Sequence, residues 1–143
     1  MKKILLLDVL VFLLIVLFMY TGVYKIFGVE TFYNQMQRSP LIRDYGNILS
    51  WSVPIIEIVV AVMLIVDQTR LIGLYSALIL MVVFTIYAVI NLVFKEYQAC
   101  SCGGVISSMT WPQHLVFNVL FMLVALAAVV IMSRRGHKVA VVA

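Results

Sequence analysis

A chain of 143 residues with 65% hydrophobic side chains, 11% charged ones and a mean hydropathy of +1.16 has too little polar surface for a soluble domain. It reads as an all-α integral membrane protein. Its net charge of +4 calls for no nucleic-acid partner, because basic residues flanking membrane spans account for it.

A bilayer core of about 30 Å needs about 20 apolar residues per helix, and an open sheet cannot satisfy its backbone in lipid. Four apolar runs predict a four-transmembrane-helix bundle in one domain, 1–143, with helices at about 4–20, 51–66, 71–94 and 114–132. The first run follows Met1-Lys2-Lys3, and no small-x-small cleavage site follows Tyr20-Thr21-Gly22, so it is expected to be an uncleaved first helix. In the loop at about 27–50, Phe32, Tyr33 and Met36 share one helical face ahead of Ser39-Pro40, which predicts a short interfacial helix and a hinge. Asp67-Gln68-Thr69-Arg70 is a tight turn that makes the second and third helices antiparallel neighbours. The last loop, about 95–113, ends in Trp111-Pro112, where proline suits a helix start and tryptophan an interface. The tail after Arg135 is expected to be disordered. Tyr20, Tyr24, Tyr75, Tyr87, Tyr97, Trp51 and Trp111 fall toward predicted helix ends, as in an aromatic belt.

Lys2, Lys3, Arg70, Arg134, Arg135 and Lys138 lie on one side of this four-span arrangement, against Lys25, Arg38, Arg43 and Lys95 on the other. The excess predicts cytoplasmic N and C termini in a multi-pass protein of the bacterial inner membrane. Both long loops then face the extracytoplasmic side, where a disulfide can persist.

The only two cysteines stand together in Cys100-Ser101-Cys102-Gly103-Gly104, in the last of these loops. Polar and glycine neighbours give the thiols the access that thiolate chemistry needs. A bridge between residues two apart closes a very small ring, which strains it, favours its reduction and contributes little as a staple. Electron exchange therefore suits the pair better than stapling. Two free thiols packed at the helix ends, or a zinc or copper site using Cys100, Cys102 and His114, are the rival readings.

His114 opens the last helix, twelve residues after Cys102, where it either tunes a thiol and shuttles a proton or simply caps the helix. Asn118, one turn on, shares its face. Glu57 is an acid inside an apolar helix, which costs about 2.5 to 3.5 kcal/mol on insertion scales and demands a partner or a cavity. Lys25 is the candidate counter-ion. The pair reads either as structural or as a proton-relay or quinone-contacting site. No haem or flavin signature, phosphate-binding glycine loop or Ser/His/Asp arrangement is present.

Gly22-x-x-Lys25 after the first helix, an aromatic-rich first loop, Pro54-x-x-Glu57 in the second helix and Cys100-x-Cys102-Gly103 before the last resemble the MauE/DoxX redox-associated membrane proteins. The resemblance runs from about 21 to 132. It implies a four-helix membrane bundle, with Cys100 and Cys102 at the MauE-type cysteines and Lys25 and Glu57 at the shared polar positions. MauE-type members are associated with maturation of methylamine dehydrogenase, a disulfide-rich enzyme, and DoxX relatives with sulfur-compound oxidation using quinone. Here Gly103-Gly104 replaces the usual Phe-Gly after the cysteines, and His114 and Asn118 stand where relatives often carry arginine and asparagine.

Residues and resemblance together point to a thiol-disulfide oxidoreductase. Cys100 and Cys102 would exchange electrons with an extracytoplasmic partner protein, alone or within a membrane complex, with quinone as the candidate acceptor near Lys25, Glu57 and Asn118. The alternatives are a non-catalytic assembly subunit with a structural disulfide and a Cys/His metal-binding membrane protein.

Overall fold

The computed structural model describes residues 2–37, 42–93 and 111–142, all but a few turn residues helical. The elements are α1 (Lys2–Phe27), α2 (Val29–Gln37), a 3-10 turn (Arg43–Tyr45), α3 (Gly46–Ile65), α4 (Arg70–Val93) and α5 (Trp111–Val142). Among the described residues, four helical stretches are long and apolar enough to cross a membrane: Ile4–Phe27, Arg43–Ile65, Arg70–Ile90 and Pro112–Arg134.

The helices form a ring in which α1 packs on α3 and α5, and α4 packs on α3 and α5. Each presents a stripe at alternating spacings of three and four to the centre. On α1 the buried stripe is Leu7, Val11, Leu14, Phe18, Thr21 and Lys25, and on α3 it is Ser50, Pro54, Glu57, Ala61 and Leu64. Leu74, Ala77, Met81 and Ala88 continue it on α4, and His114, Asn118, Ala125 and Ala128 on α5. Small side chains at Ala61, Ala77, Ala125 and Ala128 let the helices approach closely at one end of the bundle. At the other end the stripes turn polar. The outside is the reverse, with Leu5, Phe12, Ile79 and Ile86 more than half exposed. Polar side chains inside and apolar ones outside are the arrangement of a bundle solvated by lipid.

Gly22 sets the contact between α1 and α3. A Cβ there would lie 2.9 Å from Ile58 Cγ1, 3.1 Å from the Pro54 carbonyl oxygen and 3.3 Å from Glu57 Cβ. Gly22→Val is expected to destabilise the bundle by about 1–3 kcal/mol, because backbone cannot yield as a side-chain tip can, and this outweighs a gain in helix propensity of less than about 0.5 kcal/mol. A lowered unfolding temperature in detergent checks this; an unchanged one contradicts the tight crossing. The turn between α3 and α4 is held from its own residues. Thr69 Oγ1 donates to the Met63 carbonyl at 3.0 Å, Arg70 Nε to the Leu64 carbonyl at 3.1 Å, and Arg70 pairs with Asp67. Two of the carbonyls left open at the end of α3 are satisfied in this way.

Three boundaries differ by five residues or more from those the sequence predicts. Helix α1 runs to Phe27 rather than about 20, because Thr21 and Lys25 turn into the bundle, where Lys25 pairs with Glu57 and Thr21 bonds back to Leu17 of its own helix, instead of ending the span. Helix α3 begins at Gly46, where the 3-10 turn leads into it, and not at 51. The tail after Arg135, expected to be disordered, is helical to Val142. No proline follows Arg135, and a single Gly136 costs only about 1 kcal/mol, too little to stop the helix. In the first loop, α2 occupies the segment where a short helix is expected, with Phe32 and Met36 buried on its inner face and Tyr33 exposed. The hinge expected at Ser39-Pro40 lies outside the described residues.

Candidate functional site

The polar end of the bundle encloses a cavity of about 230 Å3. Leu17, Phe18, Thr21 and Lys25 of α1 line one side, and Leu49, Val53 and Glu57 of α3 the next. Met81, Val83, Phe84 and Tyr87 of α4 and His114, Phe117 and Asn118 of α5 complete the wall, with Phe32 and Met36 of α2 laid across it. The walls are almost wholly apolar, so the few polar groups dominate what the cavity can recognise.

Lys25 and Glu57 form its charged element. Lys25 Nζ donates to Glu57 Oε1 at 2.6 Å, with the two side chains 5% and 1% exposed. The ammonium also lies 5.5 Å from the Phe32 ring centroid and 5.1 Å from that of Phe84. Ring faces carry negative potential, so two flanking rings stabilise the cation where water is excluded. Pro54 sits one turn before Glu57 and is buried against α1, and Gly22 brings the α1 backbone close enough for Lys25 to reach the carboxylate.

His114 and Asn118 face the cavity from the first turns of α5 and are 8% and 5% exposed. The Asn118 amide nitrogen has no hydrogen-bond partner among the described residues. Thr21 also lines the cavity, but its hydroxyl donates to the Leu17 carbonyl of its own helix at 3.0 Å.

Four of the six residues singled out from the sequence, Lys25, Glu57, His114 and Asn118, therefore meet around one cavity. Cys100 and Cys102 lie outside the described residues. Their segment, 94–110, joins α4 to α5, and Tyr87 and His114, near the two points where it leaves the bundle, both line the cavity. Among the described residues, no group of three His, Cys, Asp or Glu side chains converges as a metal site would require.

Sequence reasoning missed the aromatic share of the lining. Tyr87 reads as a belt residue at a helix end, yet it faces the cavity. Tyr20, Tyr24, Trp51 and Tyr75 are exposed, and the rings of Tyr20 and Tyr24 stack at 6.2 Å. The signal that separates Tyr87 from these is its place on the stripe of Phe84 and Ala88, visible only once the inward face of α4 is known.

Among curated proteins and among solved structures, nothing matches the chain. The family model described as methylamine utilisation protein MauE matches residues 2–131, which span every cavity-lining residue and the cysteine segment. With most of its length matched and four helices able to cross a bilayer, this multi-pass membrane protein belongs to the MauE family.

Proposed function

We propose that the protein is a membrane thiol-disulfide oxidoreductase whose Cys100-Cys102 pair oxidises the dithiol of an extracytoplasmic partner protein. One observation carries this reading: the only two cysteines stand on the segment that links the two helices supplying Tyr87, His114 and Asn118 to the cavity. The single-domain bundle has both termini in the cytoplasm of a bacterial cell, and the cysteine segment faces outward from the inner membrane.

The reaction balances as a two-electron exchange. A partner thiolate attacks one sulfur of the Cys100-Cys102 disulfide, breaking that bond and forming a mixed disulfide. The partner's second thiolate then attacks its own sulfur in the mixed disulfide, leaving the partner oxidised and Cys100 and Cys102 as a dithiol. Return of the pair to the disulfide releases two electrons and two protons, and a membrane quinone accepts both, becoming a quinol. His114, in the first turn of α5 and lining the cavity, is the residue that would carry the proton released when the pair is reoxidised. Family membership links such a protein to maturation of a disulfide-rich enzyme, in agreement with this chemistry.

Trapping tests the exchange. With Cys100→Ser and Cys102→Ser made singly, the remaining thiolate attacks the disulfide of an oxidised partner, breaking that bond, and lacks the neighbouring cysteine that would release the partner; at least one variant is expected to accumulate this mixed disulfide, seen as a high-mass band that a reductant removes. No such adduct in either variant, both present at wild-type abundance, would overturn thiol-disulfide exchange.

A further inference from the structure

The cavity is not closed on all sides, and the location of its opening says what enters. Every lining residue from α1 and α2 is buried. The lining reaches the surface most at Val83 of α4, which is 52% exposed; Leu49 and Val53 of α3, Phe84 and Tyr87 of α4 and Phe117 of α5 are half-buried, and His114 and Asn118 of α5 are buried. The neighbours of Val83 on the outer face of α4 are Ile79 and Ile86, both exposed, and all three lie within the span Arg70–Ile90. The opening between α3 and α4 therefore faces lipid and not water. These helices are tied together by the turn at 66–69, at the opposite end of the bundle from the cavity, which leaves them free to diverge here.

We infer that the cavity is a binding site for a membrane-dissolved molecule with an uncharged, carbonyl-bearing ring, admitted sideways from the bilayer between α3 and α4. The polar groups define the head. Asn118 offers an amide N–H that lacks an acceptor among the described residues, at 5% exposure, inside a cavity whose polar lining is otherwise the charge-balanced Lys25-Glu57 pair, His114, Thr21 and Tyr87. A buried donor left unsatisfied costs about 1–3 kcal/mol, and a ligand carbonyl removes that cost. Lys25 has three N–H donors and spends one on Glu57, so it can supply a second bond to the same head. A charged head group would disturb the neutral pair, whereas a carbonyl accepts from both donors without changing the net charge.

Size and walls define the rest. At about 230 Å3 the cavity falls below the usual range of about 300–1,000 Å3 for ligand pockets, so it takes one substituted ring and leaves an attached tail in the lipid opening. Phe18, Phe84 and Phe117 supply the aromatic surface for such a ring. A membrane quinone has this chemistry. The identity of the ligand as the electron acceptor rests on the proposed function; the site and its entrance do not.

A photoreactive short-chain ubiquinone analogue, added to the purified protein in lipid nanodiscs, tests the site directly. Labelling is expected on peptides of α3, α4 or α5 that line the cavity, with competition by unlabelled decylubiquinone. Asn118→Leu, which removes the amide donor at nearly constant volume, should weaken competition about tenfold, the equivalent of about 1.4 kcal/mol. Val83→Trp, on the lipid face, should slow or abolish labelling by filling the entrance. Labelling that is confined to outward-facing residues, or equal in the wild type and both variants, overturns the inference. Cys100→Ser/Cys102→Ser should label as the wild type does. If it does so while the trapping experiment finds no mixed disulfide, the binding site stands and the exchange reaction fails; exchange without cavity labelling means the reverse.

Discussion

Lys25→Met is expected to destabilise the protein by about 3–5 kcal/mol, with Glu57→Gln close behind. Lys25 Nζ and Glu57 Oε1 are 2.6 Å apart, and both side chains are buried within helices that span the membrane. Neutralising one partner leaves the other as an uncompensated charge in a cavity with almost no polar lining. The flanking rings of Phe32 and Phe84 soften the loss for Lys25 when Glu57 is changed, by about 0.5–2 kcal/mol, whereas ring faces of negative potential give no such relief to the Glu57 carboxylate when Lys25 is changed. Unfolding of the purified variants in detergent, followed by circular dichroism, gives the measurement.

The double variant Lys25→Met/Glu57→Leu separates the two roles the sequence leaves open for this pair. Replacing a buried ion pair by apolar groups of similar size is often neutral or stabilising. The double variant should therefore recover most of the stability lost by either single change. If it folds and still supports exchange at the wild-type rate, the pair is a structural strut. If it folds but the cysteines are no longer reoxidised, the pair acts at the head group in the cavity. Single variants as stable as the wild type would mean that the charges are not buried together at all.

The second large effect concerns the cysteines, and its force lies in a contrast of magnitudes. A disulfide between Cys100 and Cys102 closes so short a loop that chain entropy gives it no more than about 2 kcal/mol of stabilisation. Cys100→Ser/Cys102→Ser should thus lower abundance several-fold at most, yet reduce oxidation of the partner to the level of a strain lacking the protein. Activity normalised to protein level is the quantity to compare. Retention of function in the abundant double variant would leave the protein as an assembly subunit, with its cysteines incidental.

The number and approximate length of the spans are legible in the sequence because lipid imposes both. Which way each helix faces is not. Helices that are apolar all round carry no directional signal of their own, and Leu5 and Leu7 on α1, alike in composition, are respectively 68% and 2% exposed. The exceptions are four polar residues with inward places: Lys25, Glu57, His114 and Asn118 mark the inward face of α1, α3 and α5, and all four line the cavity, whereas Asp8 near the start of α1 is exposed. Helix α4 has no buried charge, so nothing in its sequence sets Phe84 and Tyr87 apart from its other aromatic residue, Tyr75. The same logic explains the misplaced end of α1. Polar side chains read as the edge of a span, but a polar residue with an internal partner belongs to the span's interior.

The in-cell redox state of Cys100 and Cys102, read by acid quench and a thiol-alkylation gel shift with and without respiratory quinone, tests the central claim most directly. A catalytic pair that hands its electrons to quinone should be found as a mixture of dithiol and disulfide that moves to the dithiol when quinone is depleted. A pair that stays fully oxidised in both conditions and resists mild reductant would contradict the account.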